Sequence, residues 1–228
     1  MNPTGRFLVL ALTCLALLGC SSALRWRGDY HVVQPGDTIY SIAFRYDIDQ
    51  RDLMAWNGIG NGALIRPGQR LRLAPGERAA VPGSRSGVRA PGTPSGVRSA
   101  PRPVKSVRWQ WPTDGAVIAG YRASTKTRSG IHIGGRRGQP VRAASDGRVV
   151  YAGSGLAGYG HLLIIKHSED YLSAYGHNDK LLAREGDEVS AGDKIANMGT
   201  GPGRRPLLHF EIRRHGEPVN PLAHLPRR

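Results

Sequence analysis

Cysteine is almost missing: the 228 residues hold two, Cys14 and Cys20, both within the first twenty positions. No disulfide can brace whatever folds beyond them. Acidic residues are scarce too, 17 Asp and Glu against 32 Lys and Arg, which leaves a formal net charge of +15. Aromatic residues make up 7%, while Gly numbers 31 and Pro 16, a mixture that suits short strands and many turns rather than long helices. No apolar run reaches the roughly 20 residues that a membrane-spanning helix needs. The longest, Phe7 to Leu18, is twelve residues.

That run follows a single basic residue, Arg6, and ends in Leu17-Leu18-Gly19-Cys20. Its length is that of an export-signal core. Residues 1–20 resemble a bacterial lipoprotein signal peptide, which implies cleavage before Cys20 and lipid on that residue. Ser21, being non-acidic, then implies the outer membrane, with the chain facing the periplasm and residues 21–29 as a lipid-proximal tether. Several acyl chains at roughly 0.8 kcal/mol per buried CH2 anchor a protein stably. An exported lipoprotein meets no nucleic acid, so the basic excess points to lipid head groups or cell-wall carboxylates.

Much of that excess lies in one segment. Residues 78–108 hold seven Lys or Arg and no Asp or Glu, whereas residues 109–228 hold seventeen against eleven. Residues 75–108 lack apolar periodicity, and Ser86-Gly87-Val88-Arg89-Ala90-Pro91 is echoed by Ser95-Gly96-Val97-Arg98-Ser99-Ala100-Pro101. The composition predicts a disordered linker averaging roughly 30 Å end to end, long enough for two domains to reach separate places.

Residues 30–74 read as strand, helix, helix, strand. His31-Val32-Val33-Gln34-Pro35-Gly36 runs from an extended segment into a turn, and Asp37 or Thr38 can cap the helix that follows. Ile39, Ile42, Ala43 and Tyr46 recur at helical spacing. A second helix, capped by Asp49, carries Leu53, Met54 and Trp56, and Asn57-Gly58 stops it. The strings Val-x-Pro-Gly-Asp-Thr, Leu-x-x-Trp-Asn and Ile-x-Pro-Gly-Gln resemble a LysM module of β-α-α-β form. The resemblance implies binding to the glycan of peptidoglycan, beside the loops Gly36-Asp37-Thr38 and Ile65-Arg66-Pro67.

Residues 109–228 alternate strand-like runs with turn residues, and Leu162-Leu163-Ile164-Ile165 reads as a strand buried on both faces. About 120 residues suffice for one core. His161 and His167 flank that strand as structural hydrogen-bonders, and His215 and His224 read as solvent-facing. Ser129 to Arg213, ending in Leu207-Leu208-His209-Phe210-Glu211, resembles the core of the lysostaphin-type, or LytM, zinc peptidases, a mostly antiparallel β fold. Trp109-Gln110-Trp111-Pro112 resembles that fold's entry strand.

The two metal motifs of those peptidases read His-x-Gly-x-Asp and His-x-His-Phe-Glu. Gly130 sets the first motif here, placing Arg128 at the metal His and His132 at the metal Asp. A second register, starting at His132-Ile133-Gly134, would put Arg136 at the acidic position. Gly138-Gln139-Pro140-Val141, six residues beyond position 132, supports the first, and neither register supplies a carboxylate. Leu207 stands where the family has a catalytic His. His209 and His177, in Tyr175-Gly176-His177, are retained. Catalytic zinc needs about three lone-pair donors and an open position. Leu207 offers no lone pair and Arg128 brings a permanent positive charge, so Arg128, His132 and His209 read as vestigial metal positions and no cofactor is expected.

A scaffold of this kind joined to LysM and a lipoprotein signal resembles the NlpD family of murein hydrolase activators. That resemblance implies a non-catalytic partner of a periplasmic N-acetylmuramoyl-L-alanine amidase, acting in cell division and enriched at the division site. The groove around Arg128, His132, His177, Leu207 and His209 would then engage the amidase. Two alternatives stand beside it: a zinc endopeptidase using His132, His177 and His209, and a structural tether between outer membrane and peptidoglycan.

Overall fold

A computed structural model describes residues 30–60, 64–75, 107–122 and 129–228. The signal segment with Cys20, the tether, nearly all of the linker and Arg128 lie outside the described residues. Among the described residues no helix is long and apolar enough to cross a membrane.

The smaller domain is built as its sequence periodicity dictates. Strand β1 (Tyr30–Val32) pairs antiparallel with β2 (Arg70–Arg72), and between them lie helices α1 (Ile39–Tyr46) and α2 (Gln50–Trp56). Thr38 caps α1 in a reciprocal capping box with Ser41, and Asp49 caps α2 by accepting from the Arg51 N–H. Asn57 closes α2. Val33, Ile39, Ile42, Ala43, Leu53 and Leu71 form the core.

The larger domain is one ten-stranded antiparallel sheet. Its strands are β3 (Val117–Ala119), β4 (Ile131–Gly134), β5 (Pro140–Arg142), β6 (Gly147–Gly153) and β7 (His161–Lys166), then β8 (Tyr171–Leu181), β9 (Glu188–Val189), β10 (Lys194–Met198), β11 (Leu207–Arg214) and β12 (Glu217–Val219). The main path runs β3-β4-β11-β8-β7-β6-β9, with β12 on β11 and β10 bridging β5 and β8. Residues 107–112 are not a strand, which corrects the expected entry strand. Gln110 instead pins this segment to the β5–β6 connection, its N–H donating to the Ala144 carbonyl and its side chain to Ala143.

One sheet face buries Ile133, Val149, Leu163, Ile165, Tyr175 and Phe210 in the main core. The opposite face of the same strands carries Val150, Leu162, Ile164, Leu172 and Ala174, and Phe44 of α1 packs into that second cluster. The doubly buried strand at Leu162 to Ile165 is therefore covered on one side by the LysM-like domain. Two domains reaching separate places are not what the structure contains. Thr38 Oγ1 donates to the Val150 carbonyl at 3.4 Å, Arg45 donates to the Gly155 carbonyl at 3.1 Å, and Arg51 lies 3.5 Å from Asp170. Gly216, at φ +81, sits so close to α2's cap that an added Cβ would lie 2.5 Å from the Asp49 nitrogen.

Candidate functional site

Cross-strand register builds the site. His209 of β11 lies directly opposite His132 of β4, so period-two alternation puts both rings on one face, with centroids 5.1 Å apart. On the other flank His209 faces Gly176 of β8, which leaves room because it has no side chain. His177 would by alternation point into the core. The β7–β8 register slips between His161 and Leu163, and His177 takes a left-handed conformation at φ +61, so the ring joins the other two. Its centroid is 6.3 Å from that of His132 and 6.1 Å from that of His209. The strained turn is held by the His177 N–H donating to the Tyr159 carbonyl and by Gly199 N–H donating to the His177 carbonyl.

These three rings line a pocket of about 280 Å³, walled by Ala157, Gly158, Tyr159 and Pro202. Leu207 does not line it. It is 3% exposed and packs against the preceding loop, where a Cβ on Gly201 would come within 2.9 Å of it. His132, His177 and His209 are thus brought together, Leu207 is buried against Gly201 and not in the pocket, and Arg128 lies outside the described residues.

Beneath the rings is a buried carboxylate. Glu211 is 0% exposed; its Oε1 accepts from Ser129 Oγ at 2.8 Å, Tyr159 OH at 2.9 Å and His209 Nε2 at 2.8 Å, and its Oε2 accepts from Arg213 Nε at 2.9 Å. Burial alone would raise its pKa, but the Arg213 guanidinium and the hydrogen bonds from His209 and Ser129 outweigh that and hold it far below the usual carboxylate range. An ionised Glu211 only accepts, so the proton lies on His209 Nε2 and, in the neutral ring, the lone pair on Nδ1. Burial, and after it the charge of the same carboxylate, pushes the Tyr159 hydroxyl above its ordinary value. His177 is lowered to about 4 by burial and by the neighbouring His209 and His132.

The peptidase resemblance implies zinc here, and the donors can be tested against it. Among the described residues no three His, Cys, Asp or Glu are disposed to hold a metal ion. Leu207 has no lone pair, and position 128 is an arginine in the sequence. The described donors do not fit the family's zinc set, although Glu211 keeps the orienting bond that a ligating His requires.

Sequence reasoning passed over Tyr159, Ser129 and Arg213. Their signal was faint: Glu211 and Arg213 are opposite charges two apart on a strand, a pattern that ordinarily faces water. The expected glycan loops are adjacent, Gly68 N–H donating to the Val33 carbonyl. Gly36, Arg66 and Pro67 are exposed, Ile65 is half-buried, and Asp37 is held by His31 at 2.7 Å and Arg45 at 3.4 Å. His167 is a structural hydrogen-bonder as expected, its Nδ1 2.6 Å from the Asp146 carbonyl and its Nε2 2.7 Å from Ser173 Oγ. His215 is exposed as expected, 3.5 Å from Asp170, whereas His224 is half-buried with its ring against Trp109 and Tyr171.

Fold and groove together define a class, a LysM module joined to a peptidase-like β domain, and family comparison agrees. Residues 31–74 match the LysM domain and residues 126–221 match peptidase family M23. The chain is 43% identical over 230 residues to the lipoprotein NlpD/LppB homolog of Pseudomonas aeruginosa, covering 87% of this chain and 77% of that one. It belongs to the NlpD/LppB lipoprotein family. A second relative, the murein hydrolase activator NlpD of Escherichia coli, is 57% identical over 120 residues, which is 53% of this chain and 32% of that one. Among solved structures, a zinc-containing peptidase from Vibrio cholerae is similar at 31% identity with a TM-score of 0.48, over 52% of this chain and 41% of that one. The paired LysM and M23 domains give the chain a peptidoglycan-related role.

Proposed function

We propose that this protein is a non-catalytic activator of a periplasmic N-acetylmuramoyl-L-alanine amidase in the splitting of peptidoglycan at cell division. In this reading it is an outer-membrane lipoprotein held through Cys20, bound to peptidoglycan glycan by the loops Gly36-Asp37-Thr38 and Ile65-Arg66-Pro67. The observation that carries it is a peptidase scaffold kept whole around a groove whose catalytic position is filled by Leu207, buried and without a lone pair. The printed name of the E. coli relative, a murein hydrolase activator, supports it.

The groove acts by binding. His132, His177 and His209, together with Arg128 and Leu207, receive the amidase's inhibitory segment and hold the amidase open. Taking such an equilibrium from 1:99 to 99:1 needs roughly 5.5 kcal/mol of differential affinity.

The test measures soluble wall fragments released from purified sacculi by the chain lacking its signal and Cys20, alone and with a purified periplasmic amidase. Silence alone and strong release with the amidase is the expected result. Release by the chain alone, abolished by a chelator and by His209→Ala, would establish an endopeptidase. No effect in either arm would leave a wall tether and overturn the activator reading.

A further inference from the structure

Strand β11 alternates cleanly: Leu208, Phe210 and Ile212 enter the main core, while His209, Glu211 and Arg213 share the other face. His209 belongs to the groove, and Arg213 belongs to the contact with the LysM module. Its guanidinium is 2% exposed and lies 3.5 Å from the Phe44 ring centroid. Nη1 donates to the Phe44 carbonyl at 3.0 Å and to Asp47 Oδ1 at 2.9 Å, while Nε donates to Glu211. Asp47 presents its carboxylate from the left-handed residue that ends α1. Glu211 between them ties Arg213 to the His209 ring.

A second route reaches the same carboxylate. Asp37, in the expected glycan loop, accepts from Arg45, and Arg45 donates to the carbonyl of Gly155. Gly155 lies in the loop 154–160 that carries Tyr159, whose hydroxyl donates to Glu211. A cavity of about 470 Å³ between Phe44, Arg45, Leu156 and Tyr159 adjoins the histidine pocket, with Tyr159 and Ala157 lining both. Without α1, Arg213 would lose a carboxylate, a carbonyl and an aromatic cover, and Glu211 would share its guanidinium with water.

We propose that the LysM module is a working part of the groove: Asp47 and Arg213 are positioning residues that, through Glu211, set the ring orientation and tautomer of His209. The groove is assembled when α1 is docked and loosened when it leaves, whatever the groove's ligand proves to be. Coupling of this kind is reciprocal, so a change at His209 also changes the environment of Asp47.

The test is side-chain NMR of the chain lacking its signal and Cys20, at pH 7, reading the His209 ring nitrogens. Two variants act on the joint from different sides. Gly216→Ala places a methyl against the Asp49 backbone and changes no side chain of the groove, although the Gly216 carbonyl itself accepts from Arg213 Nη1 at 3.3 Å, whereas Asp47→Asn leaves that turn as it is, keeps the shape and removes the charge. The expected result in either is movement of the His209 signals from single-tautomer positions toward the tautomer average, with Val141 and Ala196 amides unmoved. Asp47→Glu, which keeps a carboxylate, is expected to restore part of the shift. His209 signals unchanged in both Gly216→Ala and Asp47→Asn would overturn the proposal.

Discussion

Glu211 concentrates the electrostatics of the molecule in one side chain, and its removal is the most informative single change. Glu211→Gln leaves Arg213 buried beside a neutral amide and replaces an acceptor of four hydrogen bonds by a group that must also donate. Breaking a buried ion pair from one side costs about 3 to 5 kcal/mol, and urea unfolding at pH 7 is expected to show a loss of that order. The pH dependence has a definite sign. Because the folded carboxyl is held below its ordinary value, its contribution is present above about pH 4.5 and is lost as pH falls below that. His167 acts at higher pH. Burial lowers it to about 4 from 6.5, so the unfolded chain takes the proton first and stability falls between pH 6.5 and pH 4. The full effect is about 3 kcal/mol. His167→Phe is expected to flatten that part of the stability profile, whatever it costs at pH 7.

Elements show where sequence patterns suffice and where they stop. Both helices of the LysM module, their caps and the paired end strands follow from spacing and capping chemistry, because those rules are local. Thr38→Ala removes one half of the capping box and is expected to cost about 1 kcal/mol, read as a lowered urea midpoint of the full chain. Position 37 was an equal candidate on sequence, but the fold turns Asp37 toward His31 and Arg45. In the β domain the runs at β6, β7, β10 and β11 were legible from their apolar content. The extent of β8 was not: the stretch from Gly176 to Leu181 is polar, and it is a strand through pairing with its neighbours, Gly176 with β11, Asn178 with β7, and Asn178, Lys180 and Leu181 with β10. The three histidines of the groove were legible only because motif spacing matched a known family. Alternation alone would have sent His177 into the core; the irregularity that turns it out is one extra residue of β8 against β7, visible only in the tertiary pairing. Phe44 carried the one overlooked signal, an aromatic residue off the apolar stripe of α1.

At the scale of the whole molecule that aromatic residue decides what the β domain is. A sheet with both faces apolar needs two covers, and the second here is partly borrowed from the LysM module. Sequence composition leads one to expect two domains with a basic, proline-rich segment between them, whereas the physics that joins them is tertiary: a ring, a buried guanidinium and a glycine that admits a close backbone. Deleting residues 30–74 would expose Val150, Leu162, Ile164 and Leu172, which a solvated β domain would not leave open. Removing a buried Phe side chain costs about 3 to 5 kcal/mol. The truncated domain is therefore expected to unfold at markedly lower urea than the full chain and to bind an apolar dye in its native baseline. Phe44→Ala in the full chain should reproduce most of the stability loss with less dye binding, since the rest of α1 still shields the face. Equal urea midpoints for the full and truncated chains would mean that the β domain stands alone and that the docked module adds no stability. An unequal pair would mean that groove activity measured on the isolated domain reports a loosened site.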